Sequence, residues 1–76
     1  MANTRNQDYI VAFGAHLRRI RKLKGFSMEK LAQEADIEYS QISDIELAKI
    51  NTTISTVYAI SKALKIRACE LLDFDI

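Results

Sequence analysis

Residues 27–46, SMEKLAQEADIEYSQISDIE, divide into two short helical stretches with a tight turn between them. Ser27 suits the start of the first, because a serine hydroxyl accepts a hydrogen bond from a backbone N–H that a helix leaves unpaired at its beginning. Met28, Leu31, Ala32 and Ala35 then recur at helical spacing. Asp36 marks the turn, Ile37 fills the corner, and Ile42 with Ile45 gives the second stretch a buried edge. Tyr39, Ser40, Ser43 and Asp44 are left on its outward side.

The flanks extend this helical pattern. Ile10, Phe13, Leu17 and Ile20 recur at steps of three and four and predict a first helix over Asp8 to Lys24. Gly25 ends it, since glycine tolerates the left-handed backbone of a helix C′ position, and Phe26 turns into the core. Lys49 to Thr52 reads as a loop. Thr53 is placed to cap a fourth helix with Ile54, Val57, Ile60, Ser61 and Leu64 on one face. A fifth short helix near Ala68 to Leu72 adds Leu71 to the core, with Arg67 a poor residue at its start. Two glycines and no proline fit short connections between helices and argue against a Gly-rich phosphate loop or a hairpin-rich fold. The expected class is all-α, one compact domain over residues 1–76.

Composition bounds the function. Seventy-six residues lie near the size at which one core just suffices, with only about 60% of the unfolded surface buried, so association would help stability. At 49% hydrophobic and 28% charged the chain reads as globular. No apolar run approaches the roughly 18 residues of a membrane helix. The N-terminal MANTRNQDY lacks the basic-then-apolar layout of a secretion signal, so no membrane partner and a cytoplasmic location are expected. His16 and Cys69 are the only residues of their types, which leaves no zinc-ligand set and no cysteine–histidine pair. No catalytic residue, metal, cofactor or small-molecule ligand is expected. His16 reads as a surface residue and Cys69 as a packing residue.

The net charge of +1 conceals a division along the chain. Residues 1–25 hold Arg5, Arg18, Arg19, Arg21, Lys22 and Lys24 against Asp8, whereas residues 26–48 hold Lys30 against Glu29, Glu34, Asp36, Glu38, Asp44 and Glu46. The first helix is thus basic and the central segment acidic.

From about Phe13 to Leu72 the chain resembles the Cro/repressor-type, Xre-like helix-turn-helix family. Leu17, Ile20, Arg21, Gly25, Ser27, Leu31, Ala32, Ile37, Ser40, Ile42, Ser43, Ile45, Glu46, Ile54, Ile60, Ala63, Leu64 and Leu71 carry the resemblance. It implies a five-helix, lambda-repressor-like DNA-binding domain whose second and third helices form the motif, dimeric on a palindromic operator of double-stranded DNA. In this family the second helix of the motif enters the major groove. By position, Glu38, Tyr39, Ser40, Ser43 and Asp44 are then the base-reading residues. Serines donate and accept, Tyr39 offers a hydroxyl and an apolar ring, and Asp44 accepts from a cytosine amino group. The resemblance also makes Ser27, Lys49 and Thr53 phosphate contacts and Arg21 with Glu46 a structural ion pair. Arg18, Lys22 and Lys24 would add to the positive field.

Some positions depart from the family pattern. Met28 replaces a common glutamine, Asp36 and Ala48 replace glycines, Leu47 and Ile50 are apolar, and Glu38 and Asp44 set negative charge toward phosphate. Leu47, Ile50 and the excess negative charge of the motif motivate an alternative, a protein-interaction module on the same fold with weak or lost DNA binding. The tail residues Leu72, Phe74 and Ile76 exceed what a five-helix core needs. They read either as a dimerisation patch or as cover for the base of the core. A short chain with no evident sensor domain, and N51–T52–T53–I54 without the family's usual proline, resembles restriction–modification controller proteins, and an antitoxin or general regulator would look similar.

Overall fold

Three side-chain caps set the starts of three of the four longer helices in the computed structural model, which describes residues 4–75. Asn6, Ser27 and Thr53 accept from the backbone N–H of Tyr9, Lys30 and Thr56 at 3.0, 3.0 and 3.1 Å. The helices are α1 Gln7–Leu23, α2 Met28–Ala35, α3 Tyr39–Glu46, α4 Ile54–Leu64 and α5 Ala68–Leu71, with no strand among the described residues. The all-α, five-helix expectation holds. α1 begins one residue before Asp8 because Asn6 is its cap. α5 is anchored by Glu70, whose carboxylate accepts from the Arg67 backbone N–H at 2.7 Å and so compensates for the poor capping residue.

The four longer helices end in one way. Past each, a residue in the left-handed region (Gly25, Asp36, Ala48 or Lys65) turns the chain back. Phe26, Ile37, Lys49 and Ile66 then donate to carbonyls of Arg21, Ala32, Asp44 and Ser61, five residues earlier, at 2.8–3.0 Å. This is the Schellman arrangement. Only one of the four left-handed positions is glycine, so three side chains carry the steric cost of that conformation.

α2 and α3 have eight residues each and would not persist alone. Packing holds them. Leu17 of α1, Leu31 of α2, Ile42 and Ile45 of α3, Ile60 and Leu64 of α4, and Leu71 of α5 are fully buried together. α1 lies directly against α3: a Cβ on Gly14 would collide with the backbone carbonyl of Ile45 and stand 3.0 Å from that of Glu46.

Three expectations are corrected. Ile54 does not join the core face of α4 but is 87% exposed, because the first turn of that helix extends past the edge of the core. His16 is buried: its ring meets the Glu70 carbonyl at Nε2 (2.8 Å) and Arg19 at Nδ1 (2.6 Å), and Phe74 packs on it at 5.4 Å. A carbonyl only accepts, so Nε2 carries the proton and Nδ1 accepts from the guanidinium. Cys69 is exposed, on the outward side of α5.

Candidate nucleic-acid interface

α3 is held by one side and open on the other. Ile42 and Ile45 fill the core, while Tyr39 and Ser40 are exposed and Ser43 and Asp44 are half-buried along the edge of the open face. Glu38 is exposed at the N-cap position and its side chain caps nothing, so the first backbone N–H groups of α3 have no side-chain acceptor. Tyr39 and Ser40 therefore stand at an uncapped helix end with hydroxyls able to donate and accept. Gln41 is directed elsewhere, its amide donating to Thr56 of α4 at 3.4 Å.

The pose of α3 is set from α1. Arg21 donates through Nε and a terminal nitrogen to the two carboxylate oxygens of Glu46 at 2.6 and 3.1 Å. Its other terminal nitrogen donates to the Phe26 carbonyl at 2.8 Å. Both side chains are more than nine-tenths buried, so the pair is shielded from solvent. Such a pair orients more than it stabilises: its Coulomb energy is largely offset by desolvation, but either charge left alone would be costly. Just past the same end of α3, the Gln7 amide donates to the Ala48 carbonyl at 3.1 Å, and Arg5 donates to the Gln7 side-chain oxygen at 3.0 Å. α1 thus grips both the last turn of α3 and the left-handed residue beyond it.

Ser27, Lys49 and Thr53 occupy three exposed places around α3: the start of α2, the residue after Ala48, and the start of α4. The serine and threonine hydroxyls each already accept one backbone N–H. The departures divide into two kinds. Met28 and Ile50 are half-buried and pack on the core, which explains their apolar character. Leu47, 59% exposed, has no such role.

The tail residues separate. Phe74 is half-buried, its ring 4.9 Å from that of Tyr9 and near His16, so it covers the base of the core. Leu72 is exposed, and Ile76 lies outside the described residues. Two further apolar residues, Ile54 and Tyr58, lie one turn apart on α4 and are both exposed. Val57, between them, shares a small apolar depression with Leu72, Tyr9 and Ile50. Their signal in the sequence is an apolar pair four residues apart, in a helix whose core face is already supplied by Ile60, Ser61 and Leu64.

Residues 17–71 match the family model described as helix-turn-helix. The control protein C.BamHI of Bacillus amyloliquefaciens is 44% identical over 63 residues, covering 82% of this chain and 78% of that protein. Among solved structures, the restriction-modification controller protein C.AhdI from Aeromonas hydrophila superposes with a TM-score of 0.80 at 32% identity, over 82% of this chain and 94% of its own. The controller protein C.Esp1396I superposes with a TM-score of 0.79 at 26% identity, over 86% of each chain.

Proposed function

Because the chain belongs to the helix-turn-helix, Xre-like family, we propose that it is a sequence-specific transcriptional regulator, of the controller type its relatives are named for, acting as a homodimer on a palindromic operator. The observation that carries this is the division of α3: its inward residues bear the packing, and Tyr39, Ser40 and Ser43 are left along an open face beside an uncapped end. An eight-residue helix presented in this way fits a major groove and can exchange hydrogen bonds with base edges. Tyr39 and Ser43 are the principal reading residues, supported by Ser40, Asp44 and Glu38. Ser27, Lys49 and Thr53 hold phosphates on either side.

Dimerisation is assigned to Leu72, which lines the Val57 depression, together with Ile54 and Tyr58, exposed residues on the same helix as Val57. A self-complementary patch of this kind closes into a two-fold dimer and sets two recognition helices about 34 Å apart on successive major grooves. A cytoplasmic location fits this role, and no helix among the described residues is long and apolar enough to cross a membrane.

The test is selection from a randomised duplex library by the purified protein at roughly 0.1 M salt, where non-specific phosphate binding is restrained. An enriched inverted repeat is expected. No enrichment, with a folded sample and at lower salt as well, would favour instead a protein-interaction module using the acidic motif and exposed Leu47.

A further inference from the structure

The outward face of α3 holds Glu38 and Asp44 and no lysine or arginine, a sign of charge that opposes DNA phosphate. Lys30, the only cation between residues 26 and 48, sits over the ring of Phe26 at 4.8 Å. A DNA-binding surface built on α3 must therefore take its positive charge from another element.

α1 supplies it at one position. Gly14 touches the backbone of Ile45 and Glu46, and Arg21, two turns further on, pairs with Glu46. Arg18 lies between these anchors at helical spacing and so on the same side of α1. Unlike Arg21 it is exposed, and within the described residues no hydrogen bond or ion pair engages it. It borders a depression with Ser43 of α3, Leu47 just past the end of α3 and Met28 of α2, beside the buried Arg21–Glu46 pair. Exposed Leu47 offers the arginine stem an apolar surface while the guanidinium remains in water.

We infer that Arg18 is a DNA-phosphate contact, holding the strand that passes beside Ser43 and Leu47. The inference rests on the DNA-reading function proposed above and adds to it a cation from outside the helix-turn-helix. It accounts for how an acidic motif can approach DNA, since the compensating charge is carried by α1 and brought alongside α3 by the Gly14 contact and the buried ion pair. A guanidinium is suited to this task because its planar donors match phosphate oxygens in pairs.

The experiment measures duplex affinity across a salt series from about 0.05 to 0.2 M for the unaltered protein, Arg18→Ala, Arg18→Lys and Lys62→Ala, the last a cation on the far part of α4. Arg18→Ala is expected to bind more weakly at every salt concentration, with the slope of log affinity against log salt smaller by about 0.9, the value of one lost phosphate contact. Arg18→Lys keeps most of the slope, and Lys62→Ala is unchanged. The melting temperature and the preferred sequence of Arg18→Ala stay as they were, because the side chain neither packs in the core nor reads a base. An unchanged slope overturns the inference, as does a changed sequence preference or a fall in melting temperature matching the lost affinity. If the unaltered protein binds no duplex even at the lowest salt, the DNA-reading function falls with it. That outcome is distinguished by the wild-type control alone.

Discussion

Gly14 of α1 and Ile45 of α3 meet backbone to backbone, with no room between them for a methyl group. The obstacle is a carbonyl oxygen fixed in a helix rather than a flexible side-chain tip, so relief requires one helix to move as a body. Gly14→Ala is therefore expected to lower stability by about 1–3 kcal/mol, the usual range for overpacking. α3 would also be displaced relative to α1 and α2. Thermal melts alongside duplex binding check this. Duplex affinity lost beyond the fraction unfolded marks the displacement of α3, and an unperturbed melt would show that the helices separate freely.

Arg21→Ala and Glu46→Ala should each destabilise the protein by about 3–5 kcal/mol, since each leaves its partner's charge buried and unpaired. The double variant should lose much less than the sum. Denaturant unfolding of the four proteins closes the cycle. Additive losses would show that the two side chains act independently.

The left-handed residues without glycine point to stabilising substitutions. Ala48→Gly and Lys65→Gly remove the clash between Cβ and carbonyl but add unfolded-state entropy, for a net gain of about 0.5–1 kcal/mol each. Gly25→Ala should lose a similar amount. Calorimetry resolves such changes as shifts of about 4–8 °C per kcal/mol in a domain of this size. Lower melting temperatures for both glycine variants would mean that their side chains contribute more than the strain removes.

Leu72→Glu and Ile54→Asp place charge on the proposed dimer face without entering the core. Sedimentation should show a monomer that melts as a folded domain and binds the operator weakly. A mass equal to that of the unaltered protein would move the interface elsewhere.

Within α3, the proposed reading helix, Ser43→Ala should relax selection at one base pair per half-site, a change of about 1–3 kcal/mol in discrimination, while leaving the salt slope intact. Repeating the duplex selection with this variant provides the measure. An unaltered consensus would exclude Ser43 from base reading.

The parts of the fold written in local chemistry were legible in advance. Ser27 and Thr53 declare helix starts by residue type, and the spacing of Leu31, Ala32, Ala35, Ile42 and Ile45 declares which side is buried. What escaped depends on distant contacts. His16 carries no local sign of burial, which follows from the tail folding back so that the Glu70 carbonyl and Phe74 meet its ring. Ile54 has the spacing of a core residue and lies beyond the end of the core. Lys65 has no residue-type signal for a left-handed turn, unlike Gly25 and to a lesser degree Asp36. The place of Arg18 beside Ser43 depends on how closely α1 and α3 approach, which periodicity within either helix does not express.

The separation of the two sides of α3 bears on how such regulators diverge. Ile42, Ile45 and Glu46 hold the helix in place, whereas Tyr39, Ser40 and Ser43 contribute little to holding it. If the open side reads bases as proposed, substitutions there can accumulate without endangering folding, and the recognised sequence drifts while the scaffold stays constant. Two copies of this gene in one cell could then become insulated from each other through a few exchanges at those positions, each keeping the architecture and binding a different sequence.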